Sequence, residues 1–337
     1  MQLKDFPLPV FYLRQVAAQI HHIGADVGGW LASVKLTESQ LDDPSLIIPY
    51  TVLRRLIVDA MRITNEPALG LLVGDRLAAN THGILGYAAM NSGTIRQAVE
   101  LLERYLRVRT SLVMLRHEVR GELVNIVFEE FYPLGDIRRP VLEAVSLTIK
   151  NLLDHINGGA ALVRQVAFPF EAPAYAALAR DLFKCEVLYA QPWTGFALPL
   201  NAIDKPLKMA DPATFQDAVG ICQRELDKLT RDESLGAQVR RSMLQRQGKF
   251  PSLGATARMF HSTPRTLHRR LLHEGTSYKE ILEDVRHLLA VEYLKAGHLN
   301  IQEIAYTLGY TDAANFRRAF KRWESVAPSA YRSPDSG

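Results

Sequence analysis

Between Asn300 and Trp323 the chain carries two apolar stripes at helical spacing, separated by a glycine, and this segment limits what the C-terminal third can become. Ile301, Ile304, Ala305 and Leu308 recur at i, i+3, i+4 and i+7, which marks one face of a short helix. Gly309 ends that helix, and Asp312 is placed to cap the next. In the second helix Phe316, Ala319, Phe320 and Trp323 form the buried face, leaving Ala313, Ala314, Arg317, Arg318 and Lys321 outward. Two short helices, a tight turn and a basic outer face predict a helix-turn-helix, whose second helix enters the DNA major groove.

The pattern occurs a second time upstream. Leu253, Ala257 and Phe260 precede Ile301, Ala305 and Leu308 by 48 positions. Past the turn the offset becomes 49, so that Arg269 matches Arg318 and Leu271 matches Phe320. A doubled unit is far harder to obtain by chance than a single one. Between the copies, Ser277 caps a run with Tyr278, Ile281, Leu282, Val285 and Leu289 on one face, ending near Gly297. Such a helix is about 28 Å long at 1.5 Å per residue, close to the roughly 34 Å of one DNA turn. It can hold two recognition helices toward one side of a duplex.

On the first recognition helix Thr263 is the cap and Pro264 the first turn. Leu267 and Leu271 face inward, leaving Arg265, His268 and Arg269 outward at the end that enters the groove. An arginine can bond guanine O6 and N7 together, and Asn315 has the groups to read adenine. Ala314 suits a thymine methyl or close approach. The sequence therefore assigns base contact to Arg265, His268, Arg269, Ala314, Asn315, Arg317 and Arg318, and phosphate contact to Thr263, Thr311, Lys321 and Arg322. Arg286, inside the connecting helix, is expected in an intramolecular ion pair.

These residues resemble the DNA-binding domain of AraC-family transcription regulators, which carries two such motifs bridged by one long helix. The resemblance rests on Thr263–Leu271, Glu274-Gly275-Thr276-Ser277-Tyr278, Ile304-Ala305 with Leu308-Gly309-Tyr310, Phe316–Trp323, and Pro328 with Tyr331-Arg332. His261 stands where the family has a turn glycine, and Ser325 and Ala327 replace a Gly and a Ser before Pro328.

The first two-thirds reads as one mixed domain. Helices are expected over Pro9–Ile23, near Trp30, after Pro49 as first helical residue, and from the capping box at Thr94–Gln97 to about Arg109. Leu112–Val119 and Leu123–Phe131 are β-rich runs about a turn at Arg120-Gly121. A long helix over Val141–Ile156 follows. Next come a strand ending near Phe168, a helix from about Pro173, short strands at Val187 and Phe196–Leu200, and a helix from Pro212 to Thr230. Thr230–Gly236 is the linker candidate. This predicts an α+β N-terminal domain over residues 1–232, followed by an all-α domain over residues 233–337 with two helix-turn-helix motifs joined by a long helix. The N-terminal part resembles the arabinose-binding-type effector and dimerisation domain of one branch of the same family. The carriers are Glu66–Leu71, His82–Tyr87, Ser92–Ile95 with Ala98, and Trp193–Phe196 with Leu200. That resemblance implies a small-molecule effector and a homodimer.

Charge agrees with this division. From Ala237 onward there are 16 Lys and Arg against 9 Asp and Glu, whereas the whole chain's 40 and 36 leave 24 against 27 before it. The positive excess lies in the part expected to meet phosphate. No apolar run approaches the ~18 residues of a membrane span. The Met1–Phe6 opening shows no secretory pattern, so a cytoplasmic, nucleoid-associated protein is expected. Cys185 and Cys222 form no metal spacing and read as small hydrophobes. His21-His22 reads as surface, His82 and His155 as structural or surface, and Gly28-Gly29 and Gly158-Gly159 as loops.

The sequence assigns no cofactor, metal ligand or catalytic residue. Two isolated cysteines do not supply the reactive cluster of an alkylation-repair enzyme with similar DNA-binding motifs. A purely architectural binder leaves the large N-terminal domain without a purpose. The reading is a DNA-binding transcription regulator, activator or repressor being left open, with double-stranded DNA and RNA polymerase as partners and controlled by an effector. The alternative is control by dimerisation or a protein partner. Spacing alone gathers no pocket, so the effector-binding residues are unknown from sequence.

Overall fold

The computed structural model describes residues 7–9, 12–43, 46–131, 133–232, 234–244, 250–297 and 299–331. Val10 and Phe11 of the expected opening helix, the Met1–Phe6 opening, Glu233 of the linker candidate and Arg332 of the family signature lie outside the described residues. The chain forms two compact units. Among the described residues, one holds those from Pro7 to Glu130 and from Asp136 to Leu229, the other those from Thr230 to Tyr331 with Phe131 and Pro133–Gly135.

The N-terminal unit begins with β1 (Pro7–Pro9), α1 (Leu13–Ile23), α2 (Val27–Ala32) and β2 (Ile47–Pro49), β1 and β2 pairing antiparallel. Then come α3 (Tyr50–Thr64), α4 (Leu69–Arg76), α5 (Gly83–Met90) and α6 (Ile95–Tyr105). Pro49 is the cap of α3, one position before its expected place. Thr94 caps α6 by accepting from Gln97 N at 3.1 Å, while Gln97 Oε1 accepts from Gly93 N, one residue upstream of a regular capping box. The sheet follows: β3 (Val113–Arg120), β4 (Leu123–Glu130), α7 (Arg138–Ile156), β5 (Gln165–Ala167), α8 (Ala176–Phe183), β6 (Glu186–Leu188), β7 (Gly195–Pro199) and α9 (Pro212–Asp232). Its strand order is β3-β4-β7-β5-β6, with β5–β6 the parallel pair and the others antiparallel. This is the α+β architecture, hairpin included.

Helix α4 packs backbone-close on α7. A Cβ at Gly70 would lie 2.3 Å from the Pro140 carbonyl oxygen, and one at Gly74 2.8 Å from that of Ala144. The glycine in the Glu66–Leu71 motif is therefore a packing requirement.

Among its described residues the C-terminal unit has helices and no strand: α10 (Leu235–Leu244), α11 (Leu253–Met259), α12 (Pro264–His273), α13 (Tyr278–Ala296), α14 (Ile301–Thr307), α15 (Ala313–Glu324) and α16 (Pro328–Tyr331). It has two cores. Leu235, Val239, Met243, Ala257, Leu267 and Leu271 close on Ile281 and Val285 of α13. Ile304, Ala305, Leu308, Phe316 and Phe320 close on Ala290 and Leu294 of the same helix. The connecting helix is thus the shared wall of both motifs.

The Thr230–Gly236 linker candidate starts where the two units divide, and it is largely helical, since α9 runs to Asp232 and α10 starts at Leu235. Two expectations change. Gly28 and Gly29 are not a loop: they lie in α2, whose cap Asp26 accepts from Gly29 N at 3.0 Å. Arg286 makes no ion pair with a described residue. It donates to the Gly309 carbonyl at 3.0 Å and stands over the rings of Tyr310 (4.7 Å) and Phe250 (5.6 Å), a cation–π arrangement.

Candidate nucleic-acid interface

Each helix of the doubled motif is started by a side chain of the right chemistry. Ser252 Oγ accepts from Ala255 N, Thr263 Oγ1 from Thr266 N and Ser277 Oγ from Glu280 N, each at 3.2 Å. Asn300 and Glu303 form a reciprocal capping box, and Asp312 Oδ1 accepts from Asn315 N at 2.7 Å. Each cap satisfies an otherwise orphaned N–H and fixes where its helix begins. The caps Thr263 and Asp312 are 49 positions apart, the offset seen in the sequence, so the two recognition helices α12 and α15 are equivalent.

The turns between paired helices use left-handed backbone. Gly309 has φ +71°, and His261, its counterpart 48 positions earlier, adopts φ +47°. The histidine that departs from the family pattern keeps the bend and accepts a backbone conformation that glycine adopts without steric cost. Ser325 likewise takes φ +63° at the end of α15.

On α12, Leu267 and Leu271 are fully buried, while Arg265, His268 and Arg269 are exposed and have no side-chain partner among the described residues. Thr263 is exposed as well. On α15 the buried face is Phe316, Ala319 and Phe320, and Ala314, Arg317, Arg318 and Lys321 are exposed. Asn315, half-buried, is committed within the helix: Nδ2 donates to Asp312 Oδ2 at 2.7 Å and to Thr311 Oγ1 at 3.2 Å, and Oδ1 accepts from Arg318 Nη2 at 2.6 Å. This Asp–Asn–Arg chain holds the Arg318 guanidinium on the outer face. Arg322 is paired with Glu283 of α13 at 3.2 Å, although its side chain stays 62% exposed.

Sequence reasoning missed α10. It packs Leu235, Val239 and Met243 into the first core, and its first N–H groups are taken by Glu274, which accepts from Leu235 N at 2.9 Å and Gly236 N at 2.8 Å. The i, i+4, i+8 spacing of those apolar residues behind Ser234 was the available signal.

The N-terminal unit contains a cavity of about 140 Å³ among α1, α3, α4, α5, α6 and α7. Leu13, Val16, Leu53, Ile57, Val73 and Leu102 are representative of its wall; Tyr12, His82 and Arg109 also line it. His82, expected to be a structural or surface residue, is buried against this space, whereas His21, His22 and His155 are exposed. Burial, and next the charge of Arg109, pull the His82 pKa down to about 4, so its ring is neutral near pH 7. Burial pushes the Cys185 thiol up to about 11 and raises that of Cys222, which disfavours the thiolate form in both. No helix among the described residues is long and apolar enough to cross a membrane, and no cluster among them could hold a metal ion.

Residues 24–207 match the family model described as the arabinose-binding domain of AraC transcription regulator, N-terminal, and residues 256–333 match a helix-turn-helix domain. The ornithine utilization regulator of Pseudomonas aeruginosa is 33% identical over 328 residues, covering 96% of each chain. The transcriptional regulator VirS of Mycobacterium tuberculosis is 28% identical over 337 residues, covering 97% of this chain and 91% of its own. Among solved structures, the transcriptional regulator CdpR of P. aeruginosa aligns over 93% of this chain and 97% of its own at 22% identity and a TM-score of 0.42. The chain accordingly belongs to the AraC family of helix-turn-helix transcription regulators, in the branch with an arabinose-binding-type N-terminal domain.

Proposed function

We propose that this regulator reads a specific DNA sequence by placing α12 and α15 in successive major grooves on one side of a duplex. A small molecule bound in the N-terminal unit, acting within a homodimer, controls that binding and thereby the access of RNA polymerase to a promoter. The observation that carries the reading is the pair of equivalent arginines, Arg269 and Arg318. Both are exposed, 49 positions apart, on helices hung from one rod of 19 residues, about 28 Å long. Arg265, His268, Ala314 and Arg317 complete the base-facing set. Asn315 joins it by holding Arg318 in place, and its amide reaches adenine only by exchanging its bonds to Asp312 and Arg318. Thr263, Thr311, Lys321 and Arg322 contact phosphate, Arg322 after leaving Glu283. The name of the ornithine utilization regulator supports control by a metabolite as the general mode. The whole chain's net charge of +4 matters less than where the charge lies, since binding depends on local phosphate neutralisation.

The test is titration of the full chain onto a site selected from random DNA and onto unselected DNA. Arg269→Ala and Arg318→Ala are each expected to weaken the selected site by ~1–3 kcal/mol, or roughly 5- to 150-fold, and to relax preference at one base. Lys321→Ala should weaken both DNAs alike and flatten the salt dependence. Equal losses on both DNAs for the two arginine variants would move those residues to the phosphate set.

A further inference from the structure

The cavity in the N-terminal unit has a wall that selects its occupant. Its volume, about 140 Å³, is close to the ~150 Å³ of an apolar cavity that accepts a benzene-sized guest. Leucine, isoleucine and valine side chains from six helices make most of the lining. Arg109 is the single charged side chain among the lining residues that the structure describes, since His82 is neutral. The polar groups gather at one place. Tyr12 OH lies 3.1 Å from His82 Nδ1, and Arg109 stands 5.7 Å from the Tyr12 ring centre while donating to the Thr81 carbonyl at 3.1 Å. His82 is 6% exposed, and its Nε2 is buried without a hydrogen-bond partner.

Two occupants suggested by family names fit this wall poorly. A sugar would bury several hydroxyls against aliphatic carbon with no partners for them. An amino acid such as ornithine brings ammonium groups, and no Asp or Glu is among the lining residues; Glu143 of α7 is buried but bonds Tyr175. A guanidinium beside a hydroxyl, at one end of an aliphatic chamber, matches one carboxylate on a hydrocarbon body. We infer that the cavity binds a small hydrophobic monocarboxylate, its carboxylate at Arg109 and Tyr12 and its hydrocarbon against the leucine and valine wall. As an account of the effector, this rests on the effector-control reading above.

The experiment is thermal unfolding of the full chain with sodium octanoate and sodium phenylacetate. Octanamide, phenylacetamide, arabinose and ornithine are run beside them, and DNA affinity is measured with and without each compound. At about 100 times Kd a carboxylate is expected to raise the N-terminal transition by roughly 5–10 °C, and the matching amide should not. Arg109→Gln should lose that shift and Arg109→Lys keep part of it. Because Arg109 also bonds Thr81, Val145→Phe, which fills the chamber from α7, provides a second loss-of-shift variant that retains the arginine. Equal shifts from acid and amide, or none from any carboxylate, would overturn the inference. A shift from arabinose or ornithine alone that changes DNA affinity would overturn the carboxylate chemistry and leave effector control standing. A carboxylate shift with unchanged DNA affinity would uphold the site and remove effector control.

Discussion

His261 and Ser325 hold left-handed backbone with side chains that do not favour it, and this sets a stability the chain has not reached. Their φ values are +47° and +63°, beside +71° for Gly309 at the equivalent turn of the second motif. A left-handed non-glycine residue costs ~1–2 kcal/mol, histidine standing toward the lower end because it is enriched in that region. Glycine returns ~0.4–1 kcal/mol of that through the greater freedom of the unfolded chain. The difference leaves about 0.5–1 kcal/mol for each replacement. Both side chains are exposed and the sites are separate, so the effects should add. His261→Gly with Ser325→Gly is therefore expected to stabilise the C-terminal unit by about 1–2 kcal/mol. For a unit of roughly 100 residues this raises its transition by about 5–10 °C. Calorimetry of the full chain reads it, the relevant transition being the one that added DNA moves. The reverse change must hurt more: a Cβ at Gly309 would meet Arg286 Nη2 at 3.1 Å, so Gly309→Ala adds displacement of that guanidinium to backbone strain. A double variant that melts no higher, together with a Gly309→Ala chain that melts no lower, would refute the strain argument.

Three further outcomes follow from particular contacts. Burial raises the Glu143 carboxyl to about 7 against a normal 4.5, so its contribution to stability is complete below pH 4.5 and is lost as pH rises through 7; Glu143→Gln should remove roughly 3 kcal/mol of that decline, seen as an N-terminal transition that changes less between pH 5 and pH 8. Asn315→Ala and Arg318→Ala should not be additive on the selected DNA site, because Asn315 Oδ1 holds the Arg318 guanidinium; a double-mutant cycle with no coupling would deny that role. Glu274→Ala leaves the first two N–H groups of α10 without their acceptor and should cost the C-terminal unit about 1–2 kcal/mol in urea titration, whereas an unchanged midpoint would mean that water replaces the carboxylate.

What was legible in the sequence was local. The caps Thr263, Ser277 and Asp312, the stripes Ile304/Leu308 and Phe316/Phe320, and the turn at Gly121 each act over a few residues, so spacing alone places them. The cavity was not legible because its wall is assembled across long separations: Tyr12 meets His82 70 positions away, and Thr148 of α7 bonds the Gly74 carbonyl 74 positions away. Arg286 shows the same limit within the doubled motif. Glu283, three positions before it, invites an ion pair at helical spacing, yet that carboxylate pairs with Arg322. The guanidinium instead meets Phe250 ahead of the first motif and Tyr310 in the turn of the second. A cation at the middle of the shared helix thus ties together segments from both copies. Replacing Arg286 with Lys keeps the charge but gives up the flat face that lies over two rings, so Arg286→Lys should loosen the second turn while leaving the exposed arginines of α12 and α15 untouched. Loss of affinity on selected and unselected DNA alike, with the sequence preference at Arg269 retained, is the pattern that this geometry requires.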